Sequence, residues 1–347
     1  MWTFIAIFLI ALTITAFSTP WVRRAAIWLG FVDAPAQRKL HSVPMPLMGG
    51  VAIFTGAILA VLVFVQQLPG SVTGVLLATA VVALIGLVDD RRQLPAWVKL
   101  AGQFLGFLIL ALFGVRVQLP IPEALNYVIT FLWLAGISNA INFLDNMDGL
   151  SAGVSGVAAA FILLLGLQNN QFLVSALAAA VLGACLGFLR FNFSPAKIFM
   201  GDAGALFLGF LLALLALQLR FPRNVNFVTW MVPVFILGLP IFDTTLVTVS
   251  RLRRGLSPVT PGKDHTSHRL VQLGFSQREA VLILYLISGT LGLVGIFITE
   301  ATVVEGYGIG ITAALLASYA IWWLERKQVG ESASLRVGES ANQHLSE

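Results

Sequence analysis

The chain has 347 residues, 58% of them hydrophobic and only 11% charged, with mean hydropathy +0.90 and a formal charge of +5. Soluble domains carry about 25% charged residues, so a soluble globular protein is excluded, and the basic isoelectric point reports membrane topology rather than a nucleic-acid partner. The one cysteine, Cys185, lies in an apolar run and excludes an internal disulfide.

Apolar runs long enough to cross a bilayer as helices, about 17–25 residues, recur along the whole chain. They fall at about 2–19, 47–65, 72–88, 98–115, 127–143, 150–167, 172–189, 205–219, 227–250, 280–298 and 307–324. The pattern predicts an all-α, polytopic membrane protein with about eleven transmembrane helices. The first run lacks a basic segment before it and is followed by Arg23 and Arg24, which predicts a retained helix rather than a cleaved signal. Pro233 and Pro240 inside the ninth run predict a kink or break.

Of the 21 lysines and arginines, all but Arg116, Arg220 and Arg223 fall in one alternate set of inter-run segments. The positive-inside rule makes that set cytoplasmic, with the N-terminus outside and the C-terminus in the cytoplasm. Residues 1–326 then form one integral membrane domain. Residues 327–347, polar and repeating VGESA, read as a disordered cytoplasmic tail. All eight aspartates, Asp33, Asp89, Asp90, Asp145, Asp148, Asp202, Asp243 and Asp264, fall on the cytoplasmic side. Carboxylates gathered at one membrane edge suggest a divalent metal and a phosphorylated substrate.

Asp89 and Asp90 close the third run as adjacent acids, a base or metal site unless Arg91 and Arg92 merely offset them. In NAINFLDNMDGL, Asn139, Asn142 and Asp145 are spaced three apart and stay near one helical face, with Asp148 following. In KIFMGDAG, glycines around Asp202 let backbone approach a ligand, and the same Asp is placed to cap the next helix. The loop RLRRGLSPVTPGKDHTSHRL carries Lys263, His265, His268 and Arg269, cations and imidazoles suited to phosphates or sugar hydroxyls. Asp243 lies inside the span before that loop, where an acid is functional by default. The proline-rich segment DAPAQRKLHSVPMPLMGG adds Arg38, Lys39 and His41.

Together DAPAQRKLHSVPMPLMGG, VDD, NAINFLDNMDGL, FMGDAG, PIFDT and DHTSHRL resemble, in order, the polyprenyl-phosphate N-acetylhexosamine-1-phosphate transferase family of glycosyltransferase family 4. The resemblance implies transfer of a sugar-1-phosphate, N-acetylglucosamine-1-phosphate before others, from a UDP-sugar to undecaprenyl phosphate. UMP leaves, and the reaction depends on Mg²⁺, with Mn²⁺ as a substitute. It further implies a plasma-membrane enzyme with its active site facing the cytoplasm, membrane lipid around it, a homodimer, and a product that initiates cell-envelope glycan synthesis. Carried over by motif, Asp89 and Asp90 handle the lipid phosphate, and Asp145 and Asp148 join them as catalytic acids. Asp202 and Asn142 look like metal ligands. Asn139, Lys99, Arg38, Lys39, His41, His265, His268, Lys263 and Arg269 look like substrate-binding residues.

Gln93 stands where family members often have a third acid, Ser267 where a third histidine is common, and Ala205 where Ser often follows GDAG. The histidine loop is closer to the UDP-N-acetylglucosamine branch than to the UDP-MurNAc-pentapeptide branch. A cation-coupled transporter would place its acids near the midplane in repeat-related halves, and a lipid scaffold would leave NAINFLDNMDGL without a purpose.

Overall fold

The computed structural model describes residues 1–33, 44–64, 72–260 and 262–327, with the helical backbone of 70–71 and 328–344 in addition. In chain order the elements are α1 (Trp2–Leu29), β1 (Val32–Asp33), β2 (Met45–Pro46), α2 (Gly49–Leu62), α3 (Gly70–Arg92), α4 (Ala96–Leu112), α5 (Glu123–Leu144), α6 (Leu150–Gln168), α7 (Phe172–Asn192), α8 (Gly201–Gln218), α9 (Asn226–Thr229), α10 (Met231–Ile236), α11 (Gly238–Arg253), α12 (Thr266–Gln272), α13 (Gln277–Glu300) and α14 (Val303–His344).

Every expected apolar run lies on a helix. Helices satisfy their own backbone hydrogen bonds, which hydrocarbon demands. By length and composition, however, eight helices among the described residues can cross a membrane, or nine with the bent pair counted as one span, against the eleven expected. The runs at about 47–65 and 98–115 form the shorter helices α2, of 14 residues, and α4, of 17 residues, which ends at Leu112 before the run does.

The ninth run is broken as its prolines predict. Asn226–Ile236 and Gly238–Arg253 meet at 72°. Pro233 and Pro240 each sit in the first turn of the helix that follows the break or bend, where the missing N–H costs nothing. One departure from an all-α fold is the ladder of β1 and β2, antiparallel with Val32 opposite Pro46 and Asp33 opposite Met45. Arg38, Lys39 and His41 lie outside the described residues, and helix α14 continues to His344 through the segment expected as a disordered tail.

The helices pack around α8, which is buried along almost its whole length. Small residues set the approach of its neighbours. A Cβ on Gly86 of α3 would lie 2.5 Å from the Asp202 carbonyl oxygen and 2.6 Å from the Ala203 Cα, so only glycine lets α3 meet the start of α8.

Cross-links tie alternate helix ends into one edge. Gly50 N–H donates to Met200 O, Arg91 to Leu29 O, Arg23 to Lys197 O, Tyr285 Oη to Gly149 O, and Arg278 to Ser194 O. At the opposite edge Arg116 pairs with Glu123, Arg220 with Gln118, and Asn224 with the α13 C-terminus. The chain therefore alternates direction, and the aspartates at the ends of α3, α5 and α8 share one end of the bundle.

Candidate active site

The C-termini of α3 and α5 and the N-termini of α4 and α8 converge on a cavity of about 720 Å³. Asp89, Asp90, Asp145, Asp148 and Asp202 all line it, with Lys263 and His268 from the α11–α12 loop. Lys99 bridges two of the acids, its Nζ 2.8 Å from Asp89 Oδ2 and 2.9 Å from Asp202 Oδ2. Asn142 Nδ2 donates to Asp202 Oδ1 at 2.9 Å. The i, i+3 spacing read in the sequence thus delivers Asn142 and Asp145 to the cavity edge.

The structure separates the two adjacent acids. Asp90 accepts the Asp202 N–H on Oδ1 at 2.7 Å and the Ala203 N–H on Oδ2 at 3.2 Å. It therefore caps α8 from another helix, its two carboxyl oxygens meeting N–H groups that the first turn leaves without a helical partner. The capping role expected of Asp202 belongs to Asp90, and Asp202 is left facing Lys99 and Asn142. Gly201, at φ +74°, makes the turn possible, since a Cβ there would sit 2.6 Å from the Asp90 carboxylate. Asp89 instead accepts the Leu94 N–H and the Lys99 ammonium.

Asp145 lies just past the end of α5 and has no side-chain hydrogen bond among the described residues. Burial, then the charges of Asp202 and Asp148, push it up to about 7. Asp148 accepts the Ala196 N–H at 2.9 Å. Asn192, which the sequence reading passed over, accepts the Gly149 N–H and donates to Ile198 O, joining the start of α6 to the strand of chain before α8.

The basic loop is mostly occupied with itself. Arg251 forms a two-pronged pair with Asp264 at 2.9 and 3.0 Å, and Arg254 joins the same carboxylate. Burial would raise Asp264, but the Arg251 guanidinium holds it below the usual carboxylate range. Arg269, expected to bind substrate, is 3% exposed and spans Asp264 O and Glu325 of α14. Lys263 is exposed at the cavity rim without an ion pair among the described residues. His268 also lines the cavity, and burial, then His265 and Lys263, lower it to about 4, so it is neutral at physiological pH.

His265 does not line the cavity. Its Nδ1 lies 2.8 Å from Asp243 Oδ2, and Asp243 Oδ1 accepts the Thr266 N–H at 2.7 Å. The buried Asp243 thus orients the histidine and caps α12. Asn139, also expected at the substrate, gives its amide to Gln103 Oε1 and Ala135 O.

Among the described residues no three His, Cys, Asp or Glu side chains are arranged to hold a metal by themselves. The donor set still fits a hard divalent cation that keeps water and substrate oxygens. Asp202 presents a carboxylate, Asn142 Oδ1 is uncommitted once Nδ2 has been given to Asp202, and Asp145 feels the charges of Asp202 and Asp148 with no side-chain hydrogen bond of its own among the described residues.

Residues 72–220 match glycosyl transferase family 4. The chain is 36% identical over 305 residues to a probable undecaprenyl-phosphate N-acetylglucosaminyl 1-phosphate transferase of Bacillus subtilis (strain 168), covering 85% of each. It is 35% identical to the decaprenyl-phosphate N-acetylglucosaminephosphotransferase of Mycolicibacterium smegmatis, over 89% of this chain and 86% of that one. It is 26% identical to the undecaprenyl-phosphate alpha-N-acetylglucosaminyl 1-phosphate transferase of Escherichia coli (strain K12), over 79% and 78%. With relatives matched along most of both chains and the family's acidic motifs gathered on one cavity, the chain belongs to glycosyl transferase family 4.

Proposed function

We propose that this protein transfers N-acetylglucosamine-1-phosphate from UDP-N-acetylglucosamine to undecaprenyl phosphate and releases UMP. The observation that carries this reading is the convergence of six aspartates, Asp33 among them, and Lys263 on one cavity at the helix ends, with Lys99 bridging Asp89 and Asp202 behind it. A lipid phosphate reaches such an edge while its tail stays in hydrocarbon, and a nucleotide sugar reaches it from water. The named relatives favour the N-acetylglucosamine branch over the MurNAc-pentapeptide branch.

We take the chain to cross the membrane eleven times, with α2 and α4 as short spans, the N-terminus outside and the cavity facing the cytoplasm at the plasma membrane. The alternation of helix ends and the placing of nearly all basic residues at the acidic edge support that topology.

In the reaction an oxygen of the lipid phosphate attacks the sugar-linked phosphorus, a new P–O bond forms, and the bond to UMP breaks. Asp202 with Asn142 would hold Mg²⁺, or Mn²⁺, which supplies charge neutralisation at the pyrophosphate when bound. Lys99 keeps Asp89 and Asp202 from repelling each other and fixes both. Lys263 at the rim meets phosphate charge as it arrives. Asp145, near 7, can hold or release a proton at neutral pH. Direct attack is favoured over an aspartyl intermediate. Holding the two phosphates together while neutralising their charge can by itself lower the barrier by several kcal/mol, so no covalent step is required.

The test is UMP release by the purified protein given undecaprenyl phosphate, Mg²⁺ and a panel of UDP-sugars. Release with UDP-N-acetylglucosamine alone supports the reading, and no release with any sugar sinks it.

A further inference from the structure

Gln103 is 1% exposed in the apolar helix α4, one turn beyond Lys99 and on the same face. Both polar atoms of its side chain have a partner. Oε1 accepts from Asn139 Nδ2 at 2.9 Å, and Nε2 donates to Ser138 Oγ at 3.5 Å. Ser138 in turn donates to Leu206 O of α8 at 2.9 Å. Gln103 therefore links α4, α5 and α8 at a single level of the bundle.

One turn nearer the acidic edge, the same three helices are linked by a second level. Lys99 of α4 reaches Asp202 of α8, which receives Asn142 of α5. The residue pairs repeat the helical period: 99 and 103 on α4, 138 and 142 on α5, 202 and 206 on α8. The two levels are rungs of one ladder separated by a turn of about 5.4 Å. Lys99 and Asn142 both end on Asp202, which lines the cavity, and their relative register is whatever the rung behind them enforces.

We infer that Gln103 is a positioning residue for the transfer site: through Asn139 and Ser138 it sets the register of α4, α5 and α8, and thereby the meeting of Lys99, Asn142 and Asp202. This rests on the proposed transferase reading. It also accounts for a primary amide in the apolar interior, where a polar group without partners is costly. Asn139 belongs to this rung by its contacts and acts on the site through it.

The inference is tested with the full chain in lipid nanodiscs, measuring UMP release and thermal unfolding for the unaltered protein, Gln103→Leu, Gln103→Leu/Ser138→Ala and Gln103→Glu. A misplacement of about 1 Å costs on the order of 100-fold in rate. The expected result for Gln103→Leu is thus a kcat lower by about tenfold or more, with KM for the UDP-sugar little changed. The double variant also removes the Ser138 link to Leu206 O and should not recover kcat. Gln103→Glu keeps the acceptor for Asn139 and should recover part of the rate. A Gln103→Leu kcat equal to that of the unaltered protein overturns the inference alone, as does a kcat that recovers together with stability in the double variant. No UMP release from the unaltered protein overturns the transferase reading and this inference with it.

Discussion

Asp145→Asn should make the protein more stable and less active. The carboxyl group has no hydrogen-bond partner among the described residues and is pushed from 3.8 to about 7 by burial and by the charges of Asp202 and Asp148. Each unit of displacement is worth about 1.4 kcal/mol of preference for the neutral form. Full ionisation would therefore cost the folded site about 4 kcal/mol with no cation present. Because Asp145 is partly open to the cavity, water screens that cost to about 1–2 kcal/mol.

The sign follows from proton binding. Between about pH 4 and about pH 7 the folded state keeps a proton that the unfolded chain has released, so stability falls as pH rises through that window. Asparagine has no such dependence. In chelator-treated protein at about pH 8, the variant should unfold about 2–4 °C higher per kcal/mol relieved, with the difference vanishing below about pH 4. Added Mg²⁺ should narrow the difference at the higher pH, while UMP release is lost. An equal unfolding temperature at the higher pH, or a gap that does not change with pH, would refute the reasoning.

Three further outcomes follow from the packing. Glu325→Ala strands the Arg269 guanidinium, 3% exposed, and should cost about 3 kcal/mol, seen as a lower unfolding temperature with the largest loss of protection in α12. Gly86→Val drives a side chain into the Asp202 backbone and should cost about 1–3 kcal/mol together with most of the transfer rate, measured by unfolding and UMP release. Asp243→Asn offers one acceptor where His265 and Thr266 need two, and should lower stability by about 1–3 kcal/mol and free the histidine tautomer, read by ¹⁵N NMR of labelled imidazoles.

The helical runs and the one-sided aspartates were legible because hydropathy and the positive-inside rule act on local composition. The broken ninth run was legible because proline acts on its own turn. The division of labour between Asp89 and Asp90 was not. Adjacent residues on a helix point about 100° apart, and which of them meets α8 depends on how α3 packs at Gly86. The basic loop misled in the same way. Arg269 reads as a free cation until Glu325, 56 residues later, is brought against it by the fold. Gln103 stood unremarked in an apolar run, although its place four residues after Lys99 was a usable signal. Asp243, left without a role by the sequence, acquires one only when α11 and α12 are seen in contact.

The central claim is that the acidic cavity transfers a sugar-1-phosphate to a lipid phosphate, and label transfer tests it most directly. With UDP-N-acetylglucosamine labelled in the sugar, undecaprenyl phosphate and Mg²⁺, the unaltered protein should move label into an organic-extractable lipid, with UMP formed one for one. Asp202→Asn, folded and membrane-embedded, should move none. Label that stays in the aqueous phase with the unaltered protein, or lipid labelling by Asp202→Asn at the unaltered rate, would contradict the account.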